Sequence, residues 1–292
     1  MTVDFSLLLP VYSGDSPEFF RRAFRSAVQE QELPPSEVVL VQDGPVGGAL
    51  MLAIKDSISE STVPVQLVVM EKNVGLATAL AHGLEMCKHE VVARMDADDI
   101  SVHDRFSRQL PLIESGVELV GAGMHEFILD PELGEVVVGQ RTPPIDPTEI
   151  STYARFHDPF NHPTVVYTKS AVSRAGGYQP LGLMEDYWLF ARMIAAGVQV
   201  ANLPDPLVRY RVSSGAYQRR GGWALLKSEW FLQREFRKSG FTTFAQYLRN
   251  LAVRGGYRLV PEGIRRLAYR RLIARRFATS PTNSTQQGKQ SQ

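Results

Sequence analysis

The first third of the chain alternates short apolar runs with helical spacings. "FSLLLPVY" reads as a buried strand, and Ser16-Pro17 then supplies a cap and a first-turn proline for a helix. In that helix Phe19, Phe20, Ala23, Phe24, Ala27 and Val28 recur on one side. "EVVLVQD" predicts a second strand, residues 47–60 a second helix and "VQLVVME" a third strand. "GLATALAHGLEMC" predicts a third helix and "EVVARMD" a fourth strand. Strands spaced by helices in this way predict an α/β fold on a mainly parallel, Rossmann-like sheet flanked by helices. Such sheets bind ligands beyond the C-terminal ends of their strands. The pattern places Val11, Tyr12, Asp43 and Asp96 at those ends.

Further along, residues 103–115 read as a helix and "VELVGAGMHEFIL" as a strand. Turn residues crowd 130–164, which predicts a hairpin and loop forming a wall over the pocket. "VVYTKSAVSRAGGY" predicts a strand and short helix, and "EDYWLFARMIAAG" an amphipathic helix. After "RYRVSSGAYQRRGG" the chain turns helical, aromatic and basic through residue 276. The tail "TSPTNSTQQGKQSQ" holds too little apolar surface to fold and is expected to be disordered. The longest apolar runs are too short to cross a bilayer, and no signal-peptide pattern opens the chain.

Charge divides the molecule. Residues 1–208 carry 14 Lys/Arg against 28 Asp/Glu, whereas 209–276 carry 17 basic residues against three glutamates. An acidic body is thus joined to a basic end, which fits an anionic surface or the body itself. Nucleic acid is not an expected partner, since the body is acidic and no binding module is recognisable. Cys87 is the single cysteine, which excludes an internal disulfide and suits a reducing compartment. It sits within the apolar pattern of its helix and reads as a core residue.

The acidic stretch "RMDADDI" carries the most chemistry. Asp96, Asp98 and Asp99 fit an acidic turn or cap, a divalent-metal site or a general acid–base pair. Their place after a buried strand favours the metal, because Asp96 and Asp98 in extended chain point the same way. Asp43 before a glycine is either a turn former or an acceptor for base N–H or ribose hydroxyl groups. Asn73 and Gly75 precede a helix N-terminus that either caps itself or receives a phosphate. Glu185 and Asp186 open a helix whose dipole favours their charged forms. No P-loop, G-x-G-x-x-G, EF-hand, zinc-ligand spacing or G-x-S-x-G elbow is present.

"SLLLPVY", "EVVLVQDG", "EKNVGLATALAHGLEMCKHEVVARMDADDI", "NHPTVVY", "GGYQPLGLMEDYWLFARMIAAG" and "PLVRYRV" together resemble the inverting family 2 glycosyltransferases of GT-A fold. The likeness runs over residues 3–212 and is nearest to bacterial enzymes of cell-surface and exopolysaccharide assembly. It implies a GT-A domain over 1–212; outside the likeness, composition alone predicts a basic helical extension over 213–278 and a disordered tail over 279–292. The likeness further implies transfer of a sugar from a nucleoside-diphosphate donor to a glycan or lipid-linked acceptor, assisted by Mn²⁺ or Mg²⁺. By motif, Pro10, Val11 and Tyr12 would line the nucleoside pocket and Asp43 would recognise the base. Asn73 and Gly75 fall where the donor is held near Arg94. Asp96-Ala97-Asp98 matches the D-x-D motif, with Asp98 on the metal and Asp96 near the ribose and metal. Asp186 matches the general base, Glu185 its helper, and Arg211 a diphosphate contact.

Two departures stand out: Ser213 where relatives carry a histidine after "YR", and "SGDSPEFF" after the first strand. The competing readings are a nucleotidyltransferase acting on sugar phosphates, and a non-catalytic membrane-associated relative. The former lacks its glycine- and arginine-rich phosphate loop, and the latter leaves the sheet-end carboxylates unexplained. The expected location is cytoplasmic and peripheral on the inner face of the cell membrane.

Overall fold

The computed structural model describes residues 3–212 and 223–255. Ser213, Arg219, Arg220, the tail and all but the first two residues of the basic 254–276 stretch therefore lie outside the described residues. The apolar runs form strands β1 (Phe5–Tyr12), β2 (Glu37–Asp43), β3 (Val65–Val69) and β4 (Val91–Arg94). Between them lie helices α1 (Pro17–Val28), α2 (Gly48–Ser59) and α3 (Leu76–Met86). Ser16 caps α1 by accepting from the Phe19 N–H, and Pro17 fills the first turn, as expected from the sequence. A short β5 (Ile100–Ser101) and α4 (Arg105–Glu114) follow, then the hairpin β6 (Leu119–Asp130) and β7 (Gly134–Arg141). α5 (Pro147–Tyr153), a 3-10 turn (His162–Thr164), β8 (Val166–Thr168), α6 (Lys169–Arg174), α7 (Glu185–Ala195) and β9 (Val200–Arg211) complete the body. Beyond it come α8 (Trp223–Lys238), α9 (Phe244–Asn250) and a π-helical turn (Leu251–Gly255).

The sheet runs β3-β2-β1-β4-β8-β6-β9-β5, with β7 paired to the outer part of β6. Its first four strands are parallel. β8 pairs antiparallel with both β4 and β6, β7 with β6 and β5 with β9, while β6 and β9 run parallel. The sheet is therefore mixed, and the mainly parallel arrangement read from the sequence holds only for the half before residue 95. That half repeats strand–helix units, which force parallel crossovers. The second half is joined partly by a hairpin and loops and has no such constraint. β9 was not anticipated: Pro204 and Pro206 interrupt its pattern, and its pairing with β6 shifts register between Ala122 and Met124.

β1 shows why these runs are apolar throughout. Phe5, Leu7, Leu9 and Val11 face a core shared with α1, α2 and α4, while Leu8 faces one shared with α3, α6 and α7. A strand covered on both faces has no solvent side to alternate toward. Cys87 is buried at the end of α3, as its pattern indicated.

The C-terminal helices are packed on the body. Tyr187, Trp188 and Ala191 of α7 form a third core with Leu225, Leu232 and Phe236 of α8. Arg254 fastens it: its Nε and Nη2 lie 2.6 and 2.9 Å from the buried Glu229 carboxylate, and its Nη1 donates to the Phe156 carbonyl at 2.8 Å. Breaking a buried ion pair from one side costs about 3–5 kcal/mol. Arg254→Met should therefore lower unfolding free energy by about that amount in denaturant titration. A loss within experimental error would mean the pair is solvated.

Candidate active site

The sequence-designated residues gather at the C-terminal edge of β1, β2 and β4. β1 ends in Pro10, the buried Val11 and the 43 % exposed Tyr12, and β2 ends in Asp43. Asp43 is buried and its carboxylate accepts the N–H groups of Val74 (2.7 Å) and Gly75 (3.1 Å). Asn73 Nδ2 donates to the Asp43 carbonyl at 3.2 Å. Asp43, Asn73 and Gly75 thus form one braced corner, in which those two N–H groups are already engaged. Gly44 permits it: its φ is +85°, and a Cβ there would stand 2.5 Å from the Asn73 nitrogen.

Past β4 the chain turns through Asp96, Ala97, Asp98 and Asp99. The Arg94 guanidinium, 1 % exposed, grips both oxygens of Asp96 at 2.5 and 2.8 Å. Arg105, also fully buried, donates to the Arg94 carbonyl at 2.8 Å. Burial, then the charge of Arg94, pulls its pKa down to about 9. Arg211 reaches the same turn from β9. Its N–H donates to Asp99 Oδ1 (2.8 Å), its Nε donates to the Asp98 carbonyl (2.9 Å), and its guanidinium sits 3.9 Å from the Phe19 ring centroid.

This edge holds more negative charge than it can ionise. Burial, reinforced by Asp96 and Asp98, raises the pKa of Asp99 well above the usual range. Asp15, whose Oδ2 accepts the Tyr12 N–H at 2.9 Å, is pushed up to about 7 by burial and by Asp98 and Asp96. Among the described residues no cluster of three or more His, Cys, Asp or Glu side chains forms a metal centre. The donor set is all hard oxygen, and one or two carboxylates suffice for a cation that also takes phosphate oxygens. A divalent cation would also offset the repulsion recorded in the Asp15 and Asp99 shifts. The residues fit such an ion.

Glu185 and Asp186 open α7 and face this cluster. Burial first, then Asp186, raises the Glu185 pKa to about 7. Burial also raises Asp186, while the Tyr187 N–H at 2.7 Å and the charge of Arg94 oppose the shift. The structure thus joins two sequence regions ninety residues apart through the field of one arginine.

Four further residues belong to this neighbourhood and were not singled out from sequence: Asp15, Asp158, His162 and Tyr178. Asp158 is held above the usual carboxylate range by burial and by Asp186. His162 places Nδ1 3.9 Å from Asp186 Oδ2. "HDPFNHPT" contained two of them, but its prolines marked only a loop. Nothing local says that this loop folds in under α7.

Known proteins resemble this chain in sequence and in fold. The family model described as glycosyl transferase family 2 matches residues 6–167. The amylovoran biosynthesis glycosyltransferase AmsE of Erwinia amylovora is 38% identical over 270 residues, covering 91% of this chain and 97% of that protein. An Escherichia coli UDP-Gal:alpha-D-GlcNAc-diphosphoundecaprenol beta-1,3-galactosyltransferase is 32% identical over 276 residues, 94% of this chain and 98% of that one. Among solved structures, the mannosyltransferase PcManGT of Pyrobaculum calidifontis in complex with GDP-Man and Mn2+ superposes with TM-score 0.62 at 17% identity. That alignment covers 96% of this chain and 79% of PcManGT. The S. aureus TarS 1-349 fragment in complex with UDP gives 0.58 at 18% identity, covering 80% and 65%. The fold is α/β and GT-A-like, with a mixed sheet and C-terminal helices.

The Glu185 shift has a sign that can be measured. Its folded pKa, about 7, exceeds the ordinary 4.5, so its contribution to stability is full below pH 4.5 and is lost as pH rises through 7. Glu185→Gln should therefore gain in melting temperature relative to the parent across that window and hold the gain above it. A difference that does not change with pH would show that Glu185 ionises as an ordinary exposed carboxylate.

Proposed function

This chain belongs to glycosyl transferase family 2, an inverting enzyme acting on a nucleotide-sugar donor, and we propose that Asp186 is its general base. The observation that supports this most is the convergence of the α7 carboxylates and the Asp96 turn on Arg94. It sets a base on one side of a site whose other side suits a nucleoside diphosphate.

In this reading Pro10, Val11 and Tyr12 line the nucleoside pocket, and Asp43 accepts from the base while bracing the 73–75 corner. Asn73 and Gly75 shape the wall beside the donor. Asp98, with Asp96, would hold Mn²⁺ or Mg²⁺, which when bound supplies positive charge at the leaving diphosphate. Ala97, small and buried, lets the turn pass close to the donor. Arg94 and Arg211 place fixed positive charge beside the same diphosphate. Asp186 takes the proton of the acceptor hydroxyl as its oxygen attacks the anomeric carbon from the face opposite the diphosphate. Glu185, raised to about 7 by burial and then by Asp186, is partly protonated at neutrality and so adds less than a second full charge beside Asp186. One displacement inverts the anomeric centre.

The relatives' names concern amylovoran assembly and a diphosphoundecaprenol-linked acceptor, and we take the acceptor here to be a cell-surface glycan or lipid-linked sugar. Residues 1–212 would carry the chemistry, and within 213–278 the described helices of 223–255 would buttress α7, 279–292 lying outside the described residues. No helix among the described residues is long and apolar enough to cross a membrane. Apart from Arg254, which is held by Glu229, the arginines of this basic end, 258–276, would instead bind the anionic inner face of the cell membrane by charge.

The test is release of nucleoside diphosphate on mixing donor sugars with acceptor and divalent metal. Asp186→Asn should lower turnover roughly 10²–10⁴-fold while nucleotide binding survives. Turnover near the parent's would move the base elsewhere. Asp98→Ala and excess EDTA should each nearly abolish transfer, and full activity in EDTA would remove the metal from the reaction. Co-sedimentation with anionic vesicles should be strong at low salt and lost in high salt. Indifference to such vesicles would assign the basic end to contacts within the protein.

A further inference from the structure

His162 takes no part in the transfer as described above, yet it is buried in the 3-10 turn directly beneath α7. Its two ring nitrogens have different neighbours. Nδ1 faces Asp186 Oδ2 at 3.9 Å, and Nε2 lies 3.2 Å from the Tyr178 hydroxyl. Tyr178 in turn lies 3.2 Å from the Tyr167 hydroxyl. Asp186 Oδ1 accepts the Tyr187 N–H at 2.7 Å, and Oδ2 is the oxygen turned toward His162. The Phe190 ring, with its centroid 5.7 Å away, closes on the imidazole edge-on.

The protons along this row can be assigned by elimination. Burial, then the charge of Arg94, holds the His162 pKa well below its ordinary value, so the ring is neutral and carries one N–H. An ionised carboxylate only accepts, so the nitrogen facing Asp186 carries the hydrogen. Nε2 is then bare and accepts from Tyr178, whose hydroxyl accepts from Tyr167. Every hydroxyl in the row is satisfied in this single order. The 3.9 Å gap is longer than a hydrogen bond, and such contacts in a ligand-free site close when the reactants bind.

We propose that His162 is the positioning residue of Asp186: a neutral Nδ1–H imidazole, its tautomer set by Tyr178 and Tyr167, that aims Oδ2 at the acceptor hydroxyl. The proposal rests on Asp186 being the base. It gives a use to two tyrosines buried behind the site, which transfer itself does not need. The mechanism is that of any orienting partner, in which a fixed donor holds one oxygen so that the other geometry is not sampled.

Nitrogen-15 NMR of histidine-labelled protein tests the assignment without reference to turnover. His162, identified by loss of its signals in His162→Gln, should appear at neutral pH as the Nδ1–H tautomer, the minor form in free histidine. Tyr178→Phe should move it toward Nε2–H. In kinetics, His162→Gln should lower kcat roughly 10- to 100-fold, the worth of a lost hydrogen bond to a charged group, with donor affinity unchanged. His162→Asn, whose amide overlies the Nδ1 position, should recover most of that loss. An Nε2–H tautomer in the parent, or parental kcat in the Gln variant, would overturn the proposal. So would a loss that Asn does not rescue. Failure of Asp186 as base would show separately, as retained turnover in Asp186→Asn.

Discussion

Arg94 is the charge on which the site depends. It is fully buried at the end of a central strand, and Asp96 meets it with both oxygens. Burying a guanidinium is tolerable only with such a partner, and the pair leaves a field in a region where water screens little. That field reaches Asp99, Asp186, Glu185, Tyr178 and His162. It favours the charged form of Asp186 and opposes a second cation on His162. One residue thus acts on both Asp186 and His162, in opposite senses.

The scaffold explains how such a concentration of charge is held. β1, β2 and β4 end together because their parallel pairing fixes a common edge, and each releases its chain into the site at that edge. α7 is pressed down from the other side by α8, and Glu229–Arg254 ties that packing to the loop carrying Asp158. The helices after residue 222 are therefore part of what positions the start of α7, although they carry none of the motifs. Burial first, and then the charges of Asp96 and Asp98, raise Asp15 and Asp99 in this carboxylate-rich pocket.

Much of this was legible in the sequence where local physics and position coincide. The strand ends at Val11, Asp43 and Asp96 followed from apolar runs bounded by polar residues, and the α7 start followed from its amphipathic spacing. The family, the α/β class and the enzyme activity also stand as read. β9 was not legible, since "VQVANLPDPLVRYR" carries two prolines that conceal a strand of twelve residues, and with it went the mixed pairing of the sheet's second half. Nor could the local pattern reveal that His162 and Asp158 lie beneath α7, because only the tertiary packing of the 153–164 loop brings them there. Asp15 lies in "SGDSPEFF", which the sequence marks only as a departure from the family pattern, and its side chain closes that turn on the Tyr12 N–H.

The central claim is that Arg94 balances the carboxylates of this edge and makes an anionic donor tolerable there. Arg94→Met keeps the length of the side chain and removes its charge, and calorimetric titration with nucleoside diphosphate and Mg²⁺ reads the consequence directly. The variant should fold, though less stably, and its nucleotide affinity should fall roughly 10- to 100-fold. Parental affinity in that variant would contradict it.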